Sequence, residues 1–66
     1  MMIGEMIAKI RMEKGMTLEY LSRISQVSIG YLCHLERGTR TNPSMRIMEK
    51  ISECLGKSIS EIFFNK

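Results

Sequence analysis

Apolar residues in this chain recur at every third or fourth position and nowhere at every second. That spacing lays one face of a helix against a core and leaves no room for a half-buried strand. Each stripe is also brief, because a glycine or a polar capping residue interrupts it. The chain is therefore expected to be all-α, built from five short helices.

The first helix is expected from Ile3 to Lys14, with Ile3, Met6, Ile7 and Ile10 on one face. Gly15 supplies the left-handed residue that ends it. Thr17 can cap a second helix, Leu18 to Ile24, with Leu21 and Ile24 pointing inward. After the break "SQV", Ser28 caps a third helix, Ile29 to Arg37. Leu32 and Leu35 form its buried stripe, Val27 precedes it, and Gly38 ends it. Past the polar loop "TRTNP", either Asn42 or Ser44 caps the fourth helix. If Asn42 does, Pro43 takes the first helical position, where its missing N–H costs nothing. Met45, Met48, Ile51 and Leu55 form the stripe and Gly56 the stop. Ser58 and Glu61 make a capping box for a fifth helix carrying Ile59, Ile62 and Phe63.

Sixty-six residues make one domain, 1–66, with a small core and little space for an enclosed active-site cavity. No apolar run approaches a membrane span. "MMIGEMIAKIR" carries Glu5 early and has no small-residue cleavage site, so no signal peptide is expected. Two cysteines, Cys33 and Cys54, make no disulfide framework and read as reduced thiols in a cytoplasmic protein. Cys33 stands beside His34, the one histidine. Adjacent helical residues point about 100° apart, so the two cannot readily converge on one ion. There is no C-x-x-C or H-x-x-x-H spacing and no aspartate anywhere. Neither an enzyme, nor a metal, nor a cofactor is expected.

The charge is placed unevenly. From Ser22 to Ile47 there are four arginines, Arg23, Arg37, Arg40 and Arg46, against one acid, Glu36. Elsewhere six bases cancel six acids, so the whole formal charge of +3 lies in this segment. A localised basic patch favours a polyanionic partner. Within it, two helices separated by a three-residue break have helix-turn-helix spacing, residues 17–37, with 28–37 as the recognition helix. On its wheel, Ile29, Gly30, Cys33 and His34 lie opposite Leu32 and Leu35. That outer stripe holds an isoleucine, a glycine and no acid, which suits close approach to another surface.

The stretches "IGEMIAKIRMEKGMTLEYL", "VSIGYLCHLERG", "NPS" and "EKISECLGKSISEIF" resemble the XRE-type helix-turn-helix domains of phage-repressor and Cro-like regulators. "YL-x-x-LERG" with "TNPS" further resembles the DNA-binding domain of SinR-type repressors. The resemblance implies a five-helix, lambda-repressor-like fold. It implies sequence-specific binding of double-stranded DNA by a small prokaryotic-type transcriptional regulator, a repressor, dimeric on a pseudo-palindromic operator. Ser28, Ile29, Gly30 and His34 match the base-facing positions, and Cys33 lies beside them as a further base-contact candidate. Thr17, Leu18, Tyr31, Arg37, Arg40, Thr41 and Asn42 match phosphate-contacting ones. Arg11 and Glu36 match an internal salt bridge. Ile59, Ile62, Phe63 and Phe64 are the expected homodimer contact, with Phe64 in excess of what the core needs. No separate ligand-sensing domain is expected, hence no small-molecule ligand. An antitoxin-like module that also binds DNA is the alternative.

Departures from the family pattern accompany these matches. Leu18 stands where glutamine is common, Gln26 where the turn usually has glycine, and Ser22 where alanine is usual. Ile29 and Gly30 replace residues that often bond to bases, so readout is expected to rest on few side chains and on DNA shape.

Overall fold

A computed structural model describes residues 2–64 and contains five helices and, among these residues, no strand. They are α1 (Ile3–Glu13), α2 (Leu18–Ser25), α3 (Ile29–Arg37), α4 (Met45–Leu55) and α5 (Ile59–Phe63). Each boundary has a local cause. Thr17, Ser28, Ser44 and Ser58 each accept a hydrogen bond from the backbone N–H three residues on, which satisfies one of the amides a helix start leaves open. Glu61 completes the capping box by accepting from the Ser58 N–H at 2.8 Å.

Ser44, not Asn42, caps α4, so Pro43 sits buried just outside the helix rather than at its first position. Met45 is then the first helical residue and is exposed. The stripe of α4 runs instead through half-buried Met48 and buried Ile51, Ser52 and Leu55.

The core gathers Ile7, Ile10, Leu21, Val27, Leu32, Leu35, Ile51, Leu55, Ile62 and Phe63. α1 packs on α3 and α5, α2 on α3 and α4, and α4 on α5. Ile24, expected inward, is 38% exposed. The buried face of α2 runs from Leu21 to Ser25, at i and i+4, which turns Ile24 toward solvent. Gly4 is buried where α1 crosses the end of α3. A Cβ there would meet the carbonyl oxygens of Leu35 and Glu36, so only glycine permits this approach.

The turn between α2 and α3 is held by side chains. Gln26 adopts a left-handed backbone, φ 60°, the one non-glycine residue to do so among those described. That conformation disfavours a residue with a Cβ. The Ser22 hydroxyl donates to the Val27 carbonyl at 2.6 Å and the Val27 N–H donates to the Ser25 hydroxyl at 3.3 Å. These bonds offset the local cost and fix the angle at which α3 leaves α2.

Candidate nucleic-acid interface

α3 is anchored through Leu32 and Leu35, both fully buried, so its opposite side must face outward. Ser28, Gly30 and His34 are exposed on that side, and Ile29 is 43% exposed. Cys33 and Tyr31 are half-buried at the edges of this strip. A Cβ added at Gly30 would meet no atom within 4 Å, so nothing inside the chain requires glycine there.

Glu36 would place a negative charge beside this strip, but it is engaged. Arg11 Nε and Nη2 donate to its two carboxylate oxygens at 2.7 and 3.1 Å, a bidentate pair. The third contact of the guanidinium, Nη1 to the Met16 carbonyl at 2.8 Å, ties the pair to the loop before α2. The two side chains are only 15% and 13% exposed. The Glu36 hydrogen bonds hold the Arg11 guanidinium above its ordinary pKa, against the opposing effect of burial.

Beyond α3 the chain stays basic and open. Arg37, Arg40, Thr41 and Asn42 are all exposed. The Arg40 guanidinium lies over the Tyr31 ring, 5.5 Å from its centroid, which orients the cation, while Tyr31 itself packs against the core. At the start of α2, Thr17 is exposed and its hydroxyl accepts from the Tyr20 N–H at 3.0 Å. The Leu18 side chain packs against the core, so only its backbone stands at the helix N-terminus.

The remaining candidates separate from this strip. Ile62 and Phe63 lie in the chain's own core and Ile59 packs against it, so Phe64, 58% exposed, is the one of the four aromatic or aliphatic candidates left free for another molecule. Cys54 sits on α4, away from Cys33 and His34. Burial and then Glu53 push its thiol pKa up, the reverse of what a nucleophile requires. Among the described residues no three His, Cys, Asp or Glu side chains gather as a metal ion requires.

Two functional residues escape a reading by pattern. Thr39, in the loop after Gly38, bonds to His34 through its hydroxyl. Ser22 reads as a small residue at a close contact, yet it clamps the turn. Thr39 has a weak signal in its place, just past a helix-ending glycine and five residues after the histidine. Ser22 has none, since its role depends on where the Val27 carbonyl points.

The architecture agrees with known proteins. A helix-turn-helix family profile matches residues 7–62. The chain belongs to the XRE-type helix-turn-helix family. The transcriptional regulator SinR of Bacillus subtilis (strain 168) is 38% identical over 65 residues, which are 98% of this chain and 59% of SinR. The transcriptional regulator SlrR of the same organism is 40% identical over 62 residues, 94% of this chain and 41% of SlrR. Among solved structures, SinR in complex with DNA superposes with a TM-score of 0.90 at 38% identity, covering 97% of this chain and all of that one. The chain thus spans about half the length of these two regulators. No helix among the described residues is long and apolar enough to cross a membrane.

Proposed function

We propose that residues 1–66 act as one helix-turn-helix domain that binds double-stranded DNA in the cytoplasm, with α3 in the major groove. The observation that carries this reading is the outward strip of α3. It is open, free of unpaired acid, and bordered by exposed Arg37 and Arg40. The match to a SinR structure solved with DNA supports DNA binding. Ser28, Ile29, Gly30 and His34 would meet base edges, with Cys33 at the margin. Thr17, the α2 N-terminus at Leu18, Tyr31, Arg37, Arg40, Thr41 and Asn42 would hold the phosphates. Ile29 has only an apolar contact to offer, to a thymine methyl.

The regulator is read as a repressor acting as a homodimer, with two recognition helices about 34 Å apart on a pseudo-palindrome. Exposed Phe64 supports a self-contact at the α5 end. Sedimentation at micromolar concentration tests this part; a monomer with and without bound operator refutes it. In vitro selection of bound duplexes tests the whole reading, because it returns motif, half-site spacing and symmetry together. Selected sites with two half-sites about one helical turn apart are expected. His34→Ala should alter preference at one position of each half-site. Failure to enrich any duplex overturns the proposal.

A further inference from the structure

The last turn of α3 binds its own histidine to the loop that follows. His34 Nδ1 lies 2.8 Å from the Thr39 hydroxyl oxygen, and the same hydroxyl lies 3.1 Å from the His34 carbonyl oxygen. One hydroxyl proton must serve two contacts. The carbonyl oxygen can only accept, so both contacts are hydrogen bonds only when the Thr39 proton points there. The ring must then supply a proton of its own at Nδ1. If Nδ1 were bare, the hydroxyl would donate to it, and two oxygen lone pairs would face each other at 3.1 Å with no proton between them. Of the two neutral tautomers, only the Nδ1–H form makes hydrogen bonds of both contacts, and it leaves Nε2 as an acceptor. Nε2 has no hydrogen-bond partner among the described residues, and the His34 side chain is exposed on the outer strip of α3.

We propose that Thr39 is a positioning residue that sets the base preference of His34. By fixing the neutral imidazole as the Nδ1–H form, it presents an acceptor to the groove. In the major groove an acceptor pairs with the amino group of adenine or cytosine; guanine and thymine offer no donor there. This rests on the reading that α3 faces a duplex. The arrangement also couples the two kinds of contact. The Thr39 and Arg40 backbone N–H groups donate to the same His34 carbonyl, at 3.0 and 3.2 Å. The anchor that orients the imidazole therefore also places Arg40, a phosphate candidate.

Three versions of the chain test it: wild type, Thr39→Val, which keeps the shape and removes the hydroxyl, and Thr39→Ser, which restores it. Thr39 is exposed, so all three should fold, and circular dichroism checks that. Imidazole nitrogen NMR, without DNA, reads the tautomer directly. Wild type and Thr39→Ser should carry the proton on Nδ1, while Thr39→Val should shift toward Nε2–H. In binding to the selected duplex and its single-base variants, wild type and Thr39→Ser should prefer an amino-bearing base at one position by about three- to tenfold, the range one hydrogen bond supplies. Thr39→Val should lose that preference with the salt dependence unchanged. A wild type protonated on Nε2 overturns the proposal. So does a Thr39→Val that keeps the wild-type preference, or a Thr39→Ser that behaves like valine. If wild type enriches no duplex at all, the DNA reading falls instead, and the spectrum still decides whether Thr39 controls the ring.

Discussion

Replacing Glu36 by alanine removes one half of the Arg11–Glu36 pair and strands the other. Arg11 keeps its bond to the Met16 carbonyl but loses both bonds to carboxylate oxygens, while its guanidinium remains 15% exposed. Breaking a buried pair from one side costs about 3–5 kcal/mol, because the remaining charge stays desolvated. The residual exposure of both partners places this pair at the lower end, about 3 kcal/mol. A chain of 66 residues has a total stability of roughly 3–10 kcal/mol, so Glu36→Ala should remove a third of it or more. Thermal unfolding followed by circular dichroism should show a fall of roughly 12–24 °C. The double variant Arg11→Met, Glu36→Leu fills similar volume without leaving a charge, and it should recover most of the loss. Two results would refute the reasoning: a Glu36→Ala protein within about 1 kcal/mol of wild type, or a double variant no more stable than the single one. The first would mean that water solvates the guanidinium in place, and the second that shape rather than charge holds α1 to α3.

Gly4→Ala should cost at least about 2 kcal/mol in urea unfolding, because its methyl would press on backbone carbonyls that cannot rotate away. Gly30→Ala should do the opposite, stabilising the fold by about 0.4–1 kcal/mol through the unfolded state while weakening binding to the selected duplex several-fold. Arg40→Ala should weaken all duplexes alike and flatten the salt dependence of log affinity by roughly 0.9 per monomer, measured by titration at several salt concentrations. The backbone hydrogen bond from Ser58 holds the Glu61 carboxyl below its ordinary value of 4.5. A carboxylate with a lowered folded pKa stabilises above its unfolded value and loses that contribution as pH falls through the folded one. Unfolding series on wild type and Glu61→Gln should therefore differ at neutral pH and converge below pH 4.5.

Helix identity and position were legible because the chain marks its boundaries chemically. Gly15, Gly38 and Gly56 all take the left-handed conformation that a helix stop requires. Thr17, Ser28 and Ser58 cap where their spacing to the apolar stripe placed them. Local patterns failed where two assignments satisfied the same rule. Asn42 and Ser44 are both capping residues, and packing of Pro43 decided between them. Ile24 fits an i, i+3 stripe as well as Ser25 fits i, i+4. The serine side chain wins the interior because the turn that follows needs its hydroxyl for the Val27 N–H. Ile62 and Phe63 were candidates for both core and interface, and burial in a core this small claimed them first. The Thr39–His34 bond left only the weak positional signal of a threonine just past the helix-ending glycine. It joins a helix to a loop across a left-handed glycine, and no periodicity extends through such a residue.

The properties of the α3 strip depend on a residue pointing away from it. Glu36 lies one residue after Leu35 and two after His34, so its carboxylate has two choices: the outward strip or the α1 side. Gly4 decides which, because its missing Cβ lets α1 approach the Glu36 backbone closely enough for Arg11 to reach the carboxylate. The close contact therefore has an electrostatic result as well as a packing one, leaving Arg37 and Arg40 uncompensated beside an open helix face. Gly30 gives the complementary argument. Gly30 is the second residue of α3; alanine there would narrow the unfolded ensemble and stabilise by roughly 0.4–1 kcal/mol, and no neighbour within this chain requires a glycine at that place. Gly4 shows what an internal requirement looks like, with carbonyl oxygens waiting where the methyl would go. Gly30 meets nothing, so its cost has no counterpart inside the chain; under the proposed docking, the duplex that α3 approaches is that counterpart.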